Sequence, residues 1–368
     1  MKPTTPSFDA MAGRPRRHLF ALTLGALACV MLALPAAAAD KARAALTVEA
    51  EQALWRGDFD YLDRENEILK HGKHLAPDAA SELEFFRAGL DSTIATGVER
   101  REPYLRELEA LTLQWATEHP TSSLAHVLYA KVLVAHAWSY RGGGYASDVP
   151  PEAWKDFRNY LERAAKYLEG HADVALTDSS AHVLLMQIGN GLDWDVRQLD
   201  AIQRDGLKRN PDDVTLYFAM VTPLLPKWHG NARILDAYIR RATEETRADY
   251  GMGMYARLYA GAADLEFGHA LFENSLADWP TMKKGYEDMM ARFPDSPDRL
   301  NGYAHMACLA KDRPTLVKLL GQIGDKINAA QWGPNSERSV EGCQRWAKAT
   351  GDGPDAPPRS PRATPSGI

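Results

Sequence analysis

The stretch EHPTSSLAHVLYAKVLVAHAW, residues 118–138, contains the pattern that decides the fold. A proline at position 120 stands among polar residues, and the run from Leu124 to Trp138 then stays apolar on almost every side. Proline ends one helix and lets the chain turn, and a helix that is apolar all round must be covered by neighbours. The stretch therefore predicts a buried helix within a stack of helices.

A similar proline-containing step between helices recurs twice further along the chain. RNPD at residues 209–212 and RFPD at 292–295 repeat the step EHPT at 118–121. Between these steps the apolar residues recur with the 3.6-residue period of a helix, and the alternating Val, Ile and Thr typical of strands are scarce. The chain is therefore expected to be all-α.

Apolar periods and turn residues together predict about seven pairs of helices. The first helices are expected at 46–56, 79–97, 122–140, 178–190, 212–224, 252–272 and 297–310. Their partners are expected at 58–70, 103–118, 153–169, 194–209, 231–248, 280–292 and 313–327. The polar residues expected to begin three of these helices are Thr121 or Ser122, Asp212 and Asn231. The prolines of the three steps are 91 and 83 residues apart, which is no multiple of the tetratricopeptide period of about 34. The predicted repeats are therefore degenerate.

Two motifs resemble known helical-repeat proteins. The turn LWRGDFD at 54–60 and the turn LAKDRP at 309–314 resemble the turn inside a tetratricopeptide repeat. The residues from Trp138 to Gly142, together with Val149, Trp154 and the later segment PKWHG at 226–230, resemble an uncharacterised bacterial family known only as a domain of unknown function. These resemblances imply an α-solenoid of degenerate tetratricopeptide-like antiparallel helix pairs over residues 40–350, and they bring no established activity.

Both ends of the chain differ from this helical region. Basic residues precede an apolar run at 19–34 and a row of alanines that ends at Ala39, which predicts a signal peptide over residues 1–39 with cleavage near Ala39. An uncleaved anchor is the alternative, and the export route, general secretory or twin-arginine, stays open. We expect a periplasmic or secreted protein. Residues 351–368 are rich in Pro, Gly and Ser and predict a disordered tail.

Charge excludes two classes of partner. The whole chain has a net charge of −6, and removal of residues 1–39, with four basic residues and one acidic residue, gives −9. Neutralising phosphates requires a surplus of Lys and Arg, so neither nucleic acid nor an anionic membrane is expected as the main partner. No second apolar run approaches membrane-spanning length, so no stable membrane insertion is expected after cleavage.

Cysteine chemistry leaves two alternatives open. Cys29 lies in the apolar run of the signal peptide and is expected to leave with it. Cys308 and Cys343 then remain, and an oxidising compartment permits one disulfide between them, which would stabilise the fold by about 3 kcal/mol. The other interpretation is two buried, unpaired cysteines.

Three turns combine glycine with aromatic and polar residues. The first, RGGGY at 141–145, lacks the lysine and the preceding strand of a phosphate-binding loop, so Gly142 is interpreted as the end of a helix. In a solenoid, consecutive turns lie side by side on one edge. The predicted edge gathers Trp138, Tyr140, Arg141, Tyr145, Asp193, Trp194, Trp228 and His229. Turn aromatics also serve simply to pack helix ends, which is the alternative.

The sequence favours a protein that binds another protein or a peptide and performs no chemistry. The alternative is a helical-toroid hydrolase acting on a glycan or peptide, for which Asp193 and Asp195 are the candidate carboxylates. Each of those carboxylates could instead cap a helix. His71 and His74 stand three residues apart, but Gly72 and Pro77 indicate a helix end there. His126, His136 and His182 lie on apolar helices and are interpreted as core histidines, so no metal and no cofactor are expected.

Overall fold

The computed structural model describes residues 44–71, 82–144, 146–228, 230–294, 296–333 and 335–349. The chain separates into two compact units, 1–45 and 46–368, and of the first unit only Ala44 and Ala45 are described. Several sequence predictions therefore lie outside the described residues, namely those on the signal peptide, His74, Tyr145, His229 and the tail from residue 351.

The described residues are helical and contain no strand, so the all-α prediction is confirmed. A π-helical turn occupies Ala263–Phe267. The α-helices are, in chain order, α1 (44–56), α2 (Phe59–His71), α3 (Glu82–Arg100), α4 (Tyr104–Glu118), α5 (Ser123–Arg141), α6 (Pro151–Gly170), α7 (Ala172–Ala175), α8 (Ser179–Gly191), α9 (Val196–Arg209), α10 (Thr215–Ala219), α11 (Val221–Leu224), α12 (Ala232–Glu245), α13 (Arg247–Tyr250), α14 (Gly253–Ala262), α15 (Leu271–Asn274), α16 (Trp279–Arg292), α17 (Pro297–Leu309), α18 (Arg313–Ile323) and α19 (Ser336–Lys348).

Every helix of the seven expected pairs overlaps a helix of the structure. Consecutive helices pack on each other, for example α4 on α5, α5 on α6, α8 on α9 and α17 on α18. The all-round apolar helix α5 contacts α3, α4, α6 and α8, as its sequence predicted, and fifteen of its residues are buried. Helix α5 therefore contributes residues to two core clusters, Leu128 to one and Leu133 to the other.

Polar side chains begin the helices where the sequence placed them. Ser122 caps α5 by accepting a hydrogen bond from the Ala125 backbone N–H at 3.1 Å, and Asn231 caps α12 in the same manner. One detail differs: Asp213 accepts from the Thr215 N–H at 2.8 Å, whereas Asp212 was expected to begin that helix. A side-chain oxygen at such a position satisfies a backbone N–H that has no partner inside the helix.

Two elements depart from the sequence expectation. The helix expected at 252–272 is interrupted by the π-helical turn Ala263–Phe267 and then by Gly268, whose φ of +52° belongs to the left-handed region. The amphipathic helix α19 was missed, although its apolar side packs on α17 and α18. Glycine tolerates the left-handed conformation at no steric cost, which is why the interruption falls there.

Cys308 in α17 and Cys343 in α19 form a disulfide, with their Cα atoms 5.9 Å apart. The bond joins the last helix to the body of the fold across 35 residues of sequence. As for membranes, none of the described helices combines the length and the hydropathy needed to cross a bilayer.

Candidate functional site

The carboxyl end of α5 carries the first three candidate residues, and Arg141 is held by aromatic rings there. Its guanidinium carbon lies 5.1 Å from the ring centre of Trp138, 5.3 Å from that of Trp154 and 5.9 Å from that of Phe157. This burial lowers the pKa of Arg141. Cation–π contacts of this length stabilise the arginine within the chain.

Arg141 also fixes the glycine loop that follows it. Its Nη1 donates to the carbonyl oxygens of Gly142 at 2.9 Å and Gly144 at 3.1 Å. Gly142 has a φ of +69°, and its N–H donates to the Trp138 carbonyl at 2.7 Å, so it ends α5 as the sequence indicated. The arginine therefore serves to hold the loop and the helix end together.

Tyr140 begins a separate stack of three rings. It is 38% exposed, and its ring lies 5.7 Å from that of Tyr160 with an interplanar angle of 21°. Tyr160 in turn stacks on His136, 4.6 Å away and nearly parallel at 5°. Arg163, one turn further along α6, places its guanidinium carbon 4.7 Å from the Tyr160 ring centre. We call Tyr140, Tyr160 and Arg163 the platform.

His136 lies under the platform and has no exposed surface. Its Nδ1 is 3.4 Å from Glu102 Oε1, and its Nε2 is 3.0 Å from Glu109 Oε2. Neither contact has the angle of a good hydrogen bond. The imidazole therefore lies between two carboxylates, one from the α3–α4 connection and one from α4.

Glu109 links this buried group to the platform. Arg163 Nη2 donates to Glu109 Oε1 at 2.6 Å. His136 first, and Arg163 after it, hold the pKa of Glu109 below its ordinary value, although burial of the carboxyl acts in the opposite direction. The side chain is thus ionised at neutral pH, and it positions Arg163 beside Tyr160.

The turn after α8 lies against the same region through Phe157. A Cβ built on Gly191 would stand 3.3 Å from Phe157 Cζ, so the turn packs directly on the ring that also contacts Trp138. Trp194 packs its own ring on Gly189. Phe157 therefore contacts both the Gly191 end of α8 and Trp138.

One of the two aspartates of this turn caps a helix, which was the alternative to a catalytic role. Asp195, rather than Asp193, begins α9: its side chain accepts from the Arg197 N–H at 2.8 Å within a capping box completed by Gln198. Hydrogen bonds from Arg197 lower the pKa of Asp195. Asp193 is exposed and has a left-handed backbone with a φ of +58°.

The third turn has its own neighbours. The N–H groups of Trp228 and Gly230 both donate to the Leu225 carbonyl, at 3.0 and 3.2 Å. Lys227 Nζ donates to the carbonyl of Leu265 in the π-helical turn at 2.5 Å. Trp228 and Trp194 pack against one core cluster, whereas Trp138 packs against another. Trp194 therefore shares its core cluster with Trp228 rather than with Trp138.

Sequence reasoning missed the polar part of the site. Glu102 and Glu109 were not singled out, and His136 was interpreted as an ordinary core histidine. The available signal was spacing: His136 and Tyr140 stand four residues apart on α5, and Tyr160 and Arg163 three apart on α6, which puts each pair on one helix face.

One other arrangement resembles a chemical site only in composition. Asp63 lies between Ser122 and His119, with Ser122 Oγ donating to one carboxylate oxygen and His119 Nδ1 2.8 Å from the other. A serine nucleophile needs the histidine as its direct neighbour, so this order does not activate Ser122. In the described part of the chain, no three His, Cys, Asp or Glu side chains converge as metal ligands.

Comparison with protein-family models, with curated proteins and with solved structures yields no match to this chain.

Proposed function

We propose that this protein is an exported binding scaffold, an α-solenoid of tetratricopeptide-like helix pairs that recognises a protein or peptide and performs no chemistry. The all-helical chain and the seven overlapping helix pairs support the solenoid, and the turn motifs support its likeness to the bacterial domain of unknown function. The Cys308–Cys343 disulfide supports export, because such bonds persist in oxidising compartments.

The platform is the observation that carries the binding proposal. An exposed tyrosine, Tyr140, is fixed by stacking on Tyr160, so it loses little conformational freedom when a partner covers it. Arg163 and Glu102, whose side chains are 41% and 32% exposed, bring opposite charges beside it, and each also forms an ion pair within the chain, with Glu109 and Arg106 respectively. An aromatic anchor with charges of both signs at its rim is typical of a protein or peptide contact.

The hydrolase alternative gains no support at its candidate carboxylates. Both oxygens of Asp195 accept from Arg197, and the side chain also caps α9. A general acid for glycoside cleavage needs a raised pKa, whereas that of Asp195 is lowered.

Photocrosslinking at single positions tests the binding proposal. A benzophenone amino acid at Tyr140 is compared with the same residue at Leu113, which is 42% exposed on α4. We expect a discrete adduct with one cellular protein or peptide from position 140 and none from position 113. No discrete adduct from position 140, or the same adducts from both positions, would contradict the proposal.

The captured partner then allows a quantitative test. Tyr140→Ala is expected to raise its dissociation constant about tenfold or more, because an anchoring aromatic residue contributes more than about 1.4 kcal/mol. Leu113→Ala serves as the matched control and should change the constant by less than about twofold. Equal effects of both substitutions would remove the platform from the binding surface.

A further inference from the structure

A groove separate from the platform lies between the start of α16 and the turn that joins α17 to α18. Its volume is about 300 Å³, and its apolar lining includes Phe272, Trp279 and Leu309. The rings of Phe272 and Trp279 meet edge to face, with centres 6.0 Å apart and planes at 84°. Because the two rings touch edge to face, together they form one aromatic side of the groove.

The indole of Trp279 is fixed in place. Its Nε1 donates to Asp312 Oδ2 at 3.0 Å, and the same oxygen accepts from Lys283 Nζ at 2.9 Å and Thr315 Oγ1 at 2.7 Å. Burial opposes the ionisation of Asp312, but these hydrogen bonds hold the pKa of its carboxyl well below the ordinary value. This side of the groove is therefore preformed, because the ionised carboxylate of Asp312 holds the indole of Trp279 in place.

The carboxyl end of α19 lies beside this groove. Arg313 begins α18, directly after the turn that lines the groove, and its Nη2 donates to the Ala347 carbonyl at 3.4 Å. Ala349, the last described residue, has φ −60° and ψ 131°, close to the polyproline II conformation. The chain thus ends α19 in an extended conformation, next to Arg313, which follows the turn that lines the groove.

The sequence that follows is rich in proline. Residues 354–365 read PDAPPRSPRATP and contain prolines spaced for polyproline II, including the segments PDAP and PRSP. At about 3 Å per residue, the eight residues between Ala349 and Pro358 span about 25 Å, which is ample to reach the groove. Polyproline segments bind aromatic-lined slots because their conformation is already formed before binding.

We propose that residues 354–365 of this chain bind in the groove lined by Phe272 and Trp279. This occupancy does not depend on the function proposed for the platform, because no platform residue lines the groove.

Charge favours this occupant. The groove rim carries Glu273 and Asp278 against the single cation Lys311, whose Nζ is 3.6 Å from Glu273 Oε1. The segment 354–365 carries two arginines and one aspartate, and its part from residue 357 onward carries only the arginines. Glu273 is 62% exposed, so Arg359 or Arg362 can pair with it from the solvent side.

A synthetic peptide of residues 353–366 tests the proposal by competition. It is titrated against the full chain and against a form that ends at Ala349, which retains every described helix. We expect the shortened form to bind the peptide at least tenfold more tightly, because in the full chain the tethered segment competes for the groove. Equal affinity for both forms, or no binding to the shortened form, would overturn the proposal.

Charge reversal locates the peptide and tests its orientation. Glu273→Lys in the shortened form should weaken peptide binding about fivefold or more, and a peptide with Arg359→Glu and Arg362→Glu should restore it. Glu162→Lys on α6, an exposed site with the same charge change, is the control and should leave binding unchanged. Equal weakening by both substitutions would overturn the assignment to this groove. If the apparent affinity for the peptide instead falls as the protein concentration rises, a second copy of the chain occupies the groove, and the proposal is wrong.

Discussion

At the scale of single residues, close approaches decide where the aromatic side chains of the turns can lie. Gly189 permits the ring of Trp194 to rest on α8: a Cβ at that position would stand 2.5 Å from Trp194 Cε3 and 2.6 Å from Leu199 Cδ2. Neither neighbour can withdraw easily, since Leu199 is fully buried. The placement of Trp194 thus depends on a missing methyl group.

Gly189→Ala is expected to lower the free energy of unfolding by about 1–3 kcal/mol, because the added methyl overpacks the contact with Trp194. Urea denaturation measures the change. The control is Gly321→Ala in α18, where no heavy atom lies within 4 Å of the new Cβ. That substitution should instead raise stability by about 0.5–1 kcal/mol, because alanine favours a helix more than glycine. A stabilising effect at position 189 would contradict the contact.

His305 is the second residue whose environment has a measurable consequence. It is 3% exposed, its ring lies 5.7 Å from that of Trp332, and its Nε2 has no hydrogen-bond partner. Burial, and then the nearby His269, lower the pKa of His305 to about 3. In the unfolded chain a histidine has a pKa of about 6.5 and takes up a proton that the folded state excludes. Stability therefore falls as the pH drops from about 6.5 towards 3.

His305→Gln should remove this part of the acid sensitivity. The loss in free energy of unfolding between pH 7 and pH 5 is expected to be smaller by about 2 kcal/mol than in the wild type. Urea denaturation at the two pH values gives the comparison. The wild type, measured at the same two pH values, is the reference. An unchanged pH dependence in His305→Gln would show that His305 is accessible to protons in the folded state.

At the scale of helices, the sequence was informative wherever the signal is local. Caps such as Ser122 and Asn231 and the apolar period of α5 depend on neighbours a few residues away, and these features were predicted. The interruption at Ala263–Phe267 was not, because a π-helical turn keeps the composition of a helix. Helix α19 was missed because few apolar residues occur in it, and its disulfide to α17 supplies much of its attachment.

Loss of that disulfide is therefore expected to destabilise α19 in particular. Cys343→Ala should lower the free energy of unfolding by about 4 kcal/mol, the entropy of closing a loop of this length in the unfolded chain. Cys308→Ala should have a similar effect, and the double variant should be little worse than either. Dithiothreitol should lower the stability of the wild type to the level of the variants while leaving the variants unchanged. Resistance of the wild type to the reductant under unfolding conditions would contradict this role.

At the scale of the whole chain, the contacts that assemble the candidate site join residues far apart in sequence. His136, Glu109 and Arg163 come from three helices, and no periodicity within one helix indicates that they meet. The predicted edge was read from turn composition alone, and it captured Tyr140 but not the groups beneath it. The sequence therefore predicted the helices, while the electrostatics around His136 required the three-dimensional structure.

One long-range ion pair illustrates how such contacts hold separate helix pairs together. Arg87 on α3 donates to both carboxylate oxygens of Asp178, at 2.5 and 3.1 Å, and also to Asn66 on α2. Asp178 is 2% exposed and begins α8. Burial opposes its ionisation, but Arg87 and then Ser180 hold the pKa of the carboxyl well below its ordinary value. The pair joins helices that are 91 residues apart in sequence.

Asp178→Asn should lower the free energy of unfolding at pH 7 by about 3–5 kcal/mol, because it leaves the guanidinium of Arg87 partly buried without its counter-charge. Because the folded-state pKa is depressed, this stabilisation is present above the unfolded value of about 4 and is lost as the pH falls below it. The difference between the wild type and Asp178→Asn should therefore shrink below pH 4. Glu341→Gln breaks the exposed pair with Arg345 and should cost less than about 0.5 kcal/mol. Similar costs at both sites would contradict this role of the ion pair, because they would mean that water screens the buried pair as well as the exposed one.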